Sequence, residues 1–360
     1  MENKITNIRA EQINDSRGNP TLKVDVFAGN NIGTFLVPSG ASTGKYEAYE
    51  LRDDDSGKGA MQMAIQGINE SIKPALVGLD VCNQVLIDRT MIDLDGTTQK
   101  KTLGGNSMIG VSIACVKAAA KINNQEVYEY LRTLSEIKPS HINPWLYFNL
   151  INGGKHASSK LAFQEYHIVP QEDSISANIE ICKAVQTKLD EIIFNKYGIS
   201  PVKGDEGGIA LSVDNVIEPL SLLKKAVDEL GYTDKVMFAL DVAASSFYKE
   251  GKYTFSNRDW STTEMIELYK EITTNFPILS IEDPFDEEDY NGFTQLKAML
   301  PNVIIIGDDL TVTNISKLKV AIDHNSISGI IIKPNQIGTL TETLATMKLA
   351  RENNIDCVVS

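Results

Sequence analysis

After Pro144 the chain carries short apolar runs, each ending on a residue able to do chemistry. VMFAL runs into Asp241, PILSI into Glu282, VIIIG into Asp308 and GIII into Lys333. Counted from Glu206, the steps between these residues are 35, 41, 26 and 25 residues. One strand, one helix and two loops fill a step of that size, so the pattern predicts repeated βα units and a parallel sheet. In a closed barrel the ends of such strands gather on one rim. Several carboxylates on one rim repel each other unless divalent cations compensate them. Asp241, Glu282 and Asp308 offer only oxygen, a donor set that favours Mg²⁺ over zinc. A single acid in such a place is commonly a strand end or helix cap. Three at barrel spacing read as a metal site.

Lys333 also leaves a strand end, and Pro334 follows it. Beside divalent cations its ammonium form is disfavoured, which leaves a neutral amine as general base. Glu206 lies in Gly204-Asp205-Glu206-Gly207-Gly208, where glycines let backbone close around an acid; facing Lys333 it would be the general acid. The glycine pair before His156 marks a site loop, and Gln164-Glu165 follows the apolar Leu161-Ala162-Phe163. His141, His167 and His324 read as structural.

The first third of the chain has another texture. Asp15 to Pro20 is a turn, residues 21–27 alternate as a strand, and VPSGASTGK (37–45) suits a mobile loop. From about 58 to 132 the period is helical, with Ile109, Ile113, Val116 and Ala120 along one face. The expected organisation is an N-terminal α+β capping domain over 1–135 and a catalytic α/β barrel over 140–360.

Composition removes several function classes. With 360 residues, 42% of them hydrophobic, the chain can build a sizeable core. A net charge of -14 without any basic run argues against a nucleic-acid partner. No apolar stretch approaches the length of a membrane span, and MENKITNIRAEQ lacks a signal-peptide core. Four scattered cysteines without a C-x-x-C pair read as reduced thiols, and the chain as a soluble cytoplasmic protein. GASTGK is one residue short of a Walker A loop, and neither G-x-G-x-x-G nor G-x-S-x-G occurs in the required context.

Taken together, the stretches DSRGNPT (15–21), VPSGASTGKYEAYELRD (37–53), LINGGKHA (150–157), LAFQEY (161–166) and GDEGG (204–208) resemble the enolases. So do ALDVAAS (239–245), SIEDPF (280–285), GDDLTVTN (307–314) and IIKPNQIGTL (331–340), in family order over essentially the whole chain. The resemblance implies an N-terminal α+β domain followed by an enolase-type α/β (TIM-like) barrel. It implies reversible, Mg²⁺-dependent dehydration of 2-phospho-D-glycerate to phosphoenolpyruvate by a glycolytic lyase, with two Mg²⁺ per site and a homodimer when full length. Matched residue by residue, Asp241, Glu282 and Asp308 would hold the first Mg²⁺ and Ser42 the second. Lys333 would be the base and Glu206 the acid, with His156, Gln164 and Glu165 at the substrate. In the family a His-Arg-Ser stretch follows the position of Ser360. The expectation is therefore a barrel incomplete at its C-terminus, with a non-catalytic binding or assembly role as the alternative. Enzymes that abstract a similar proton next to a carboxylate with a K-x-K base differ, since that region reads LAFQEY here.

Overall fold

The computed structural model describes residues 3–360 except 41–43, 55–58, 140–141, 158, 199 and 205–206. Contacts divide the chain into two units. One comprises Met1–Pro139, Val312–Leu318 and Ile331–Ser360, the other Ser140–Thr311 and Lys319–Ile330.

The first unit opens with an antiparallel meander of β1 (Ile5–Asn14), β2 (Pro20–Ala28) and β3 (Asn31–Leu36). The turn between β1 and β2 is built by Asp15, whose carboxylate accepts the amides of Arg17 and Asn19 at 2.9 and 2.8 Å. Along β2 the residues Leu22, Val24 and Val26 alternate inward and are fully buried. They meet helix Gly105–Ile122, whose Ile109, Val116 and Ala120 are buried as its period predicts, with Ile113 partly buried against the same core. The helix lies so close to β3 that a Cβ on Gly33 would stand 1.9 Å from the Ala114 carbonyl oxygen. Only glycine fits there.

In the second unit, β4 (Phe148–Asn152), β5 (Glu165–Pro170), β6 (Ile209–Ala210) and β7 (Val236–Asp241) come first. A small antiparallel meander follows, β8 (Tyr248–Lys249), β9 (Lys252–Phe255) and β10 (Arg258–Trp260). Then come β11 (Ile278–Glu282), β12 (Ile304–Gly307) and β13 (Gly329–Ile332), with helices between them. From β13 onward the order across the eight-stranded main sheet is β13-β12-β11-β7-β5-β4-β6. Strand β13 runs on into the first unit, where the Ser360 amide donates to Ile332 O beside β14 (Asp356–Val359).

From β7 to β13 the sheet is parallel, built of continuous apolar runs such as Ile304-Ile305-Ile306, which suit strands covered on both faces. Its beginning departs from the expected βα repeat, because β5 runs antiparallel to both β4 and β7. The 41-residue step from Asp241 to Glu282 likewise holds the β8–β10 meander as well as helix Thr262–Asn275.

Candidate active site

Strand register gathers the polar ends. Asn152 pairs with Glu165, Glu165 with Asp241, Asp241 with Glu282, and Glu282 with Ile306. Asp308 follows directly after β12 (Ile304–Gly307), the strand that carries Ile306, and is buried. Acids separated by tens of residues in sequence thus form one row across β5, β7 and β11, with Asp308 just past the end of β12.

Asp241 is nearly buried, and its carboxylate is aimed by two donors. Gln164 Nε2 reaches Oδ2 at 2.9 Å and the Ala243 amide reaches Oδ1 at 3.0 Å. The Gln164 amide also donates to the Asp241 carbonyl at 3.0 Å, fastening the two strand ends together. Asp283, next after Glu282, is buried with φ 41°. Its Oδ1 and Oδ2 accept the amides of Asp308 and Asp309 at 3.0 and 2.6 Å. Burial first, then the charges of Asp309, Asp308 and Asp241, pushes the Asp283 carboxyl well above its ordinary range. Asp283, Asp308 and Asp309 each bring a carboxylate oxygen within 4.8 Å of the others. Left-handed backbone also occurs at Ala243 (φ 45°), just beyond the end of β7, a strain of the kind that gathers at functional sites.

Glu165 is flanked by two histidines. His167 Nε2 lies 2.7 Å from Oε2, and His156 Nδ1 lies 2.9 Å from Oε1. His156 comes from the short turn Gly154–His156. Near that turn a Cβ on Gly208 would stand 2.2 Å from Asn152 Oδ1, which accounts for glycine at this edge of the GDEGG loop.

Lys333 belongs to the first unit. It ends β13 and caps the short helix Pro334–Ile337 with extended backbone (φ -123°, ψ 102°), as a following proline requires. Its amide donates to the hydroxyl of buried Thr313 at 2.9 Å, and that hydroxyl donates to Gln336 Oε1 at 2.9 Å. Thr313 itself holds φ 52°.

Two family models match the chain, "Enolase, N-terminal domain" over residues 5–131 and "Enolase, C-terminal TIM barrel domain" over 140–360. Curated relatives agree. The enolase of Methanococcus aeolicus is 44% identical over 363 residues, covering 99% of this chain and 84% of the relative. That of Thermococcus kodakarensis is 43% identical over 356 residues (96% and 82%), and that of Corynebacterium kroppenstedtii 42% over 367 (99% and 84%).

The chain belongs to the enolase family.

With the family comes the function: this is an enolase, a lyase of glycolysis acting on a small molecule, and the non-catalytic alternative is not favoured. Enolases are generally metal-dependent, and the donor set here fits a hard cation. Asp283, Asp308 and Asp309 offer only carboxylate oxygens, and the mutual repulsion that adds to burial in raising Asp283 is the kind a divalent ion relieves. Among the described residues no helix is long and apolar enough to cross a membrane.

Asp241, Glu282, Asp308, Gln164, Glu165 and His156 all lie in the second unit, the first five at or just beyond strand ends. Ser42 and Glu206 lie outside the described residues. Sequence reasoning missed two neighbours. Asp283 was hidden in the SIEDPF stretch, where nothing marks the second acid as the one that turns inward beneath Asp308. His167 reads as structural from the sequence, and in the strand it shares a face with Glu165 two residues earlier.

Proposed function

We propose that this enolase interconverts 2-phospho-D-glycerate and phosphoenolpyruvate with two Mg²⁺ per site. The observation that carries the reading is the row Glu165–Asp241–Glu282 across neighbouring strands, with Asp308 just past the end of the next strand, β12. Asp241, Glu282 and Asp308 would hold the first ion and Ser42 the second. The chemistry supplied by bound Mg²⁺ is electrostatic: it offsets the second negative charge that the substrate carboxylate acquires when the C2 proton leaves.

Lys333 takes that proton as a neutral amine. The electron pair of the C2–H bond moves toward the carboxylate and then forms the C2–C3 double bond as the C3–O bond breaks. Glu206 protonates the departing hydroxyl, which leaves as water. His156, Gln164 and Glu165 line the substrate, and closure of the 37–45 loop excludes bulk water. The reverse reaction uses the same two groups with their protonation states exchanged. The working form in this reading is a cytoplasmic homodimer with no nucleic-acid partner and no membrane insertion.

Turnover of 2-phosphoglycerate with Mg²⁺ tests the proposal. Phosphoenolpyruvate formation that stops on addition of EDTA and returns with excess Mg²⁺ is the expected result. Turnover indifferent to the chelator rules out the metal assignment.

A further inference from the structure

The row of acids rests on a second row of side chains one step down the same strands. Asn149 pairs with His167, His167 with Ala239, Ala239 with Ser280, and Ser280 with Ile304. Side chains two residues apart on a strand share a face, so His167 lies directly beneath Glu165. It is the one imidazole in this layer, and its two neighbours along the row on the β7 side, Ala239 and Ser280, are small and almost completely buried.

The contact is specific. His167 Nε2 meets Glu165 Oε2 at 2.7 Å in hydrogen-bond alignment. His156 Nδ1 stands 2.9 Å from the other oxygen, Oε1. An ionised carboxylate can only accept, so with Glu165 charged the proton of this bond belongs on His167 Nε2. The ring is steadied from the side by Tyr147, edge-on at 6.0 Å and 78°. Glu165, at 12% side-chain exposure, keeps little freedom of its own once this bond is made.

We propose that His167 is a positioning residue for the enolase reaction. From the buried layer it donates Nε2–H to Glu165 and so fixes the plane in which that carboxylate is presented to the substrate. The inference rests on the reading of Glu165 as substrate-lining. Donors that lock a working carboxylate in place matter through geometry, since small misplacements of a positioned group are costly in rate.

The test compares His167→Leu, which lacks a donor, with His167→Gln, which restores an N–H. His167→Leu is expected to lower kcat about tenfold or more with KM changed less than threefold, a loss in the range for supporting residues. His167→Gln is expected to recover most of that loss. Wild-type kinetics in His167→Leu overturn the proposal. So does an equal loss in both variants when both melt within a few degrees of the wild type.

Selective ¹⁵N-histidine labelling gives a second readout, practical because the chain has only four histidines. The wild-type spectrum should show His167 protonated at Nε2, and Glu165→Gln should shift that signal. An unprotonated Nε2 overturns the proposal even where His167→Leu fails to fold. If the wild-type protein itself does not turn over 2-phosphoglycerate, the functional reading fails instead, and the labelled spectrum still decides the His167–Glu165 bond.

Discussion

Glu165 begins β5 and Asp241 ends β7, and because the two strands run antiparallel the residues stand side by side at the same edge of the sheet. The reversal of β5 does structural work here. A strand that starts at the rim delivers its first residues, Gln164 and Glu165, where its parallel neighbours deliver their last. Gln164 therefore reaches the Asp241 carboxylate at 2.9 Å from the adjoining strand rather than from a distant loop.

That bond sets the first prediction. Gln164→Leu keeps the bulk and removes the donor that aims Asp241 Oδ2. Mg²⁺ affinity measured by titration calorimetry should fall about 10–100-fold, the usual cost of losing a group that orients a metal ligand. Unchanged affinity would show that Asp241 is not a ligand whose orientation matters.

Thr313 does for Lys333 what Gln164 does for Asp241. Its hydroxyl accepts the Lys333 amide and donates to Gln336, all within the first unit. Thr313→Val has nearly the same shape but leaves the Lys333 amide and Gln336 Oε1 without this partner. The expected destabilisation is about 1–3 kcal/mol, read by denaturant unfolding. kcat should fall further than Mg²⁺ affinity, since the substitution loosens the turn that carries the base.

Asp88 offers a test by pH. It is fully buried, and its Oδ2 accepts the amide and hydroxyl of Thr341 at 2.9 and 2.6 Å while Oδ1 accepts Gln84 Nε2 at 2.9 Å. Burial outweighs these bonds and raises its pKa above the ordinary carboxyl value. The fold therefore favours the protonated acid. Its contribution is fully present below the unfolded pKa and is lost as pH rises through the folded one. Asp88→Asn cannot ionise, and Gln84 Oε1, which has no hydrogen-bond partner among the described residues, can turn to accept from the new amide. Urea midpoints from pH 4 to 7 should fall more steeply in the wild type than in Asp88→Asn. A wild-type curve that rises relative to the variant contradicts the assignment.

Helix Thr262–Asn275 begins with a reciprocal cap, the Ser261 hydroxyl accepting the Glu264 amide and Glu264 accepting from Ser261. The Ser261 amide and hydroxyl, then Arg258, hold the Glu264 carboxyl down to about 2. Its support is present above the ordinary carboxyl pKa and is lost as pH falls through about 2. Ser261→Ala should cost about 1 kcal/mol at neutral pH, measured by denaturant unfolding. It should also move the Glu264 titration, followed by NMR, back toward ordinary values.

The sequence made some of this legible and hid the rest for identifiable reasons. Asp241, Glu282 and Asp308 could be read because a strand buried on both faces is an unbroken apolar run, and the residue that ends it is conspicuous. The antiparallel entry of β5 could not be read, since spacing carries no direction. The β8–β10 meander was invisible because short polar strands such as Arg258–Trp260 look like loop. Asp283 turns inward only because its backbone takes φ 41°, a conformation no local pattern announces. His167 is a milder case: the alternation Glu165-Tyr166-His167 contains the pairing, but only once β5 is known to be a strand.

Lys333 is the proposed base, and isotope exchange tests that role without waiting for the C3–O bond to break. With Mg²⁺ in D₂O, the wild-type chain should wash the C2 proton of 2-phosphoglycerate into solvent, and Lys333→Ala should lose this exchange on the order of 10²–10⁴-fold while remaining folded. Exchange at the wild-type rate in Lys333→Ala would contradict it.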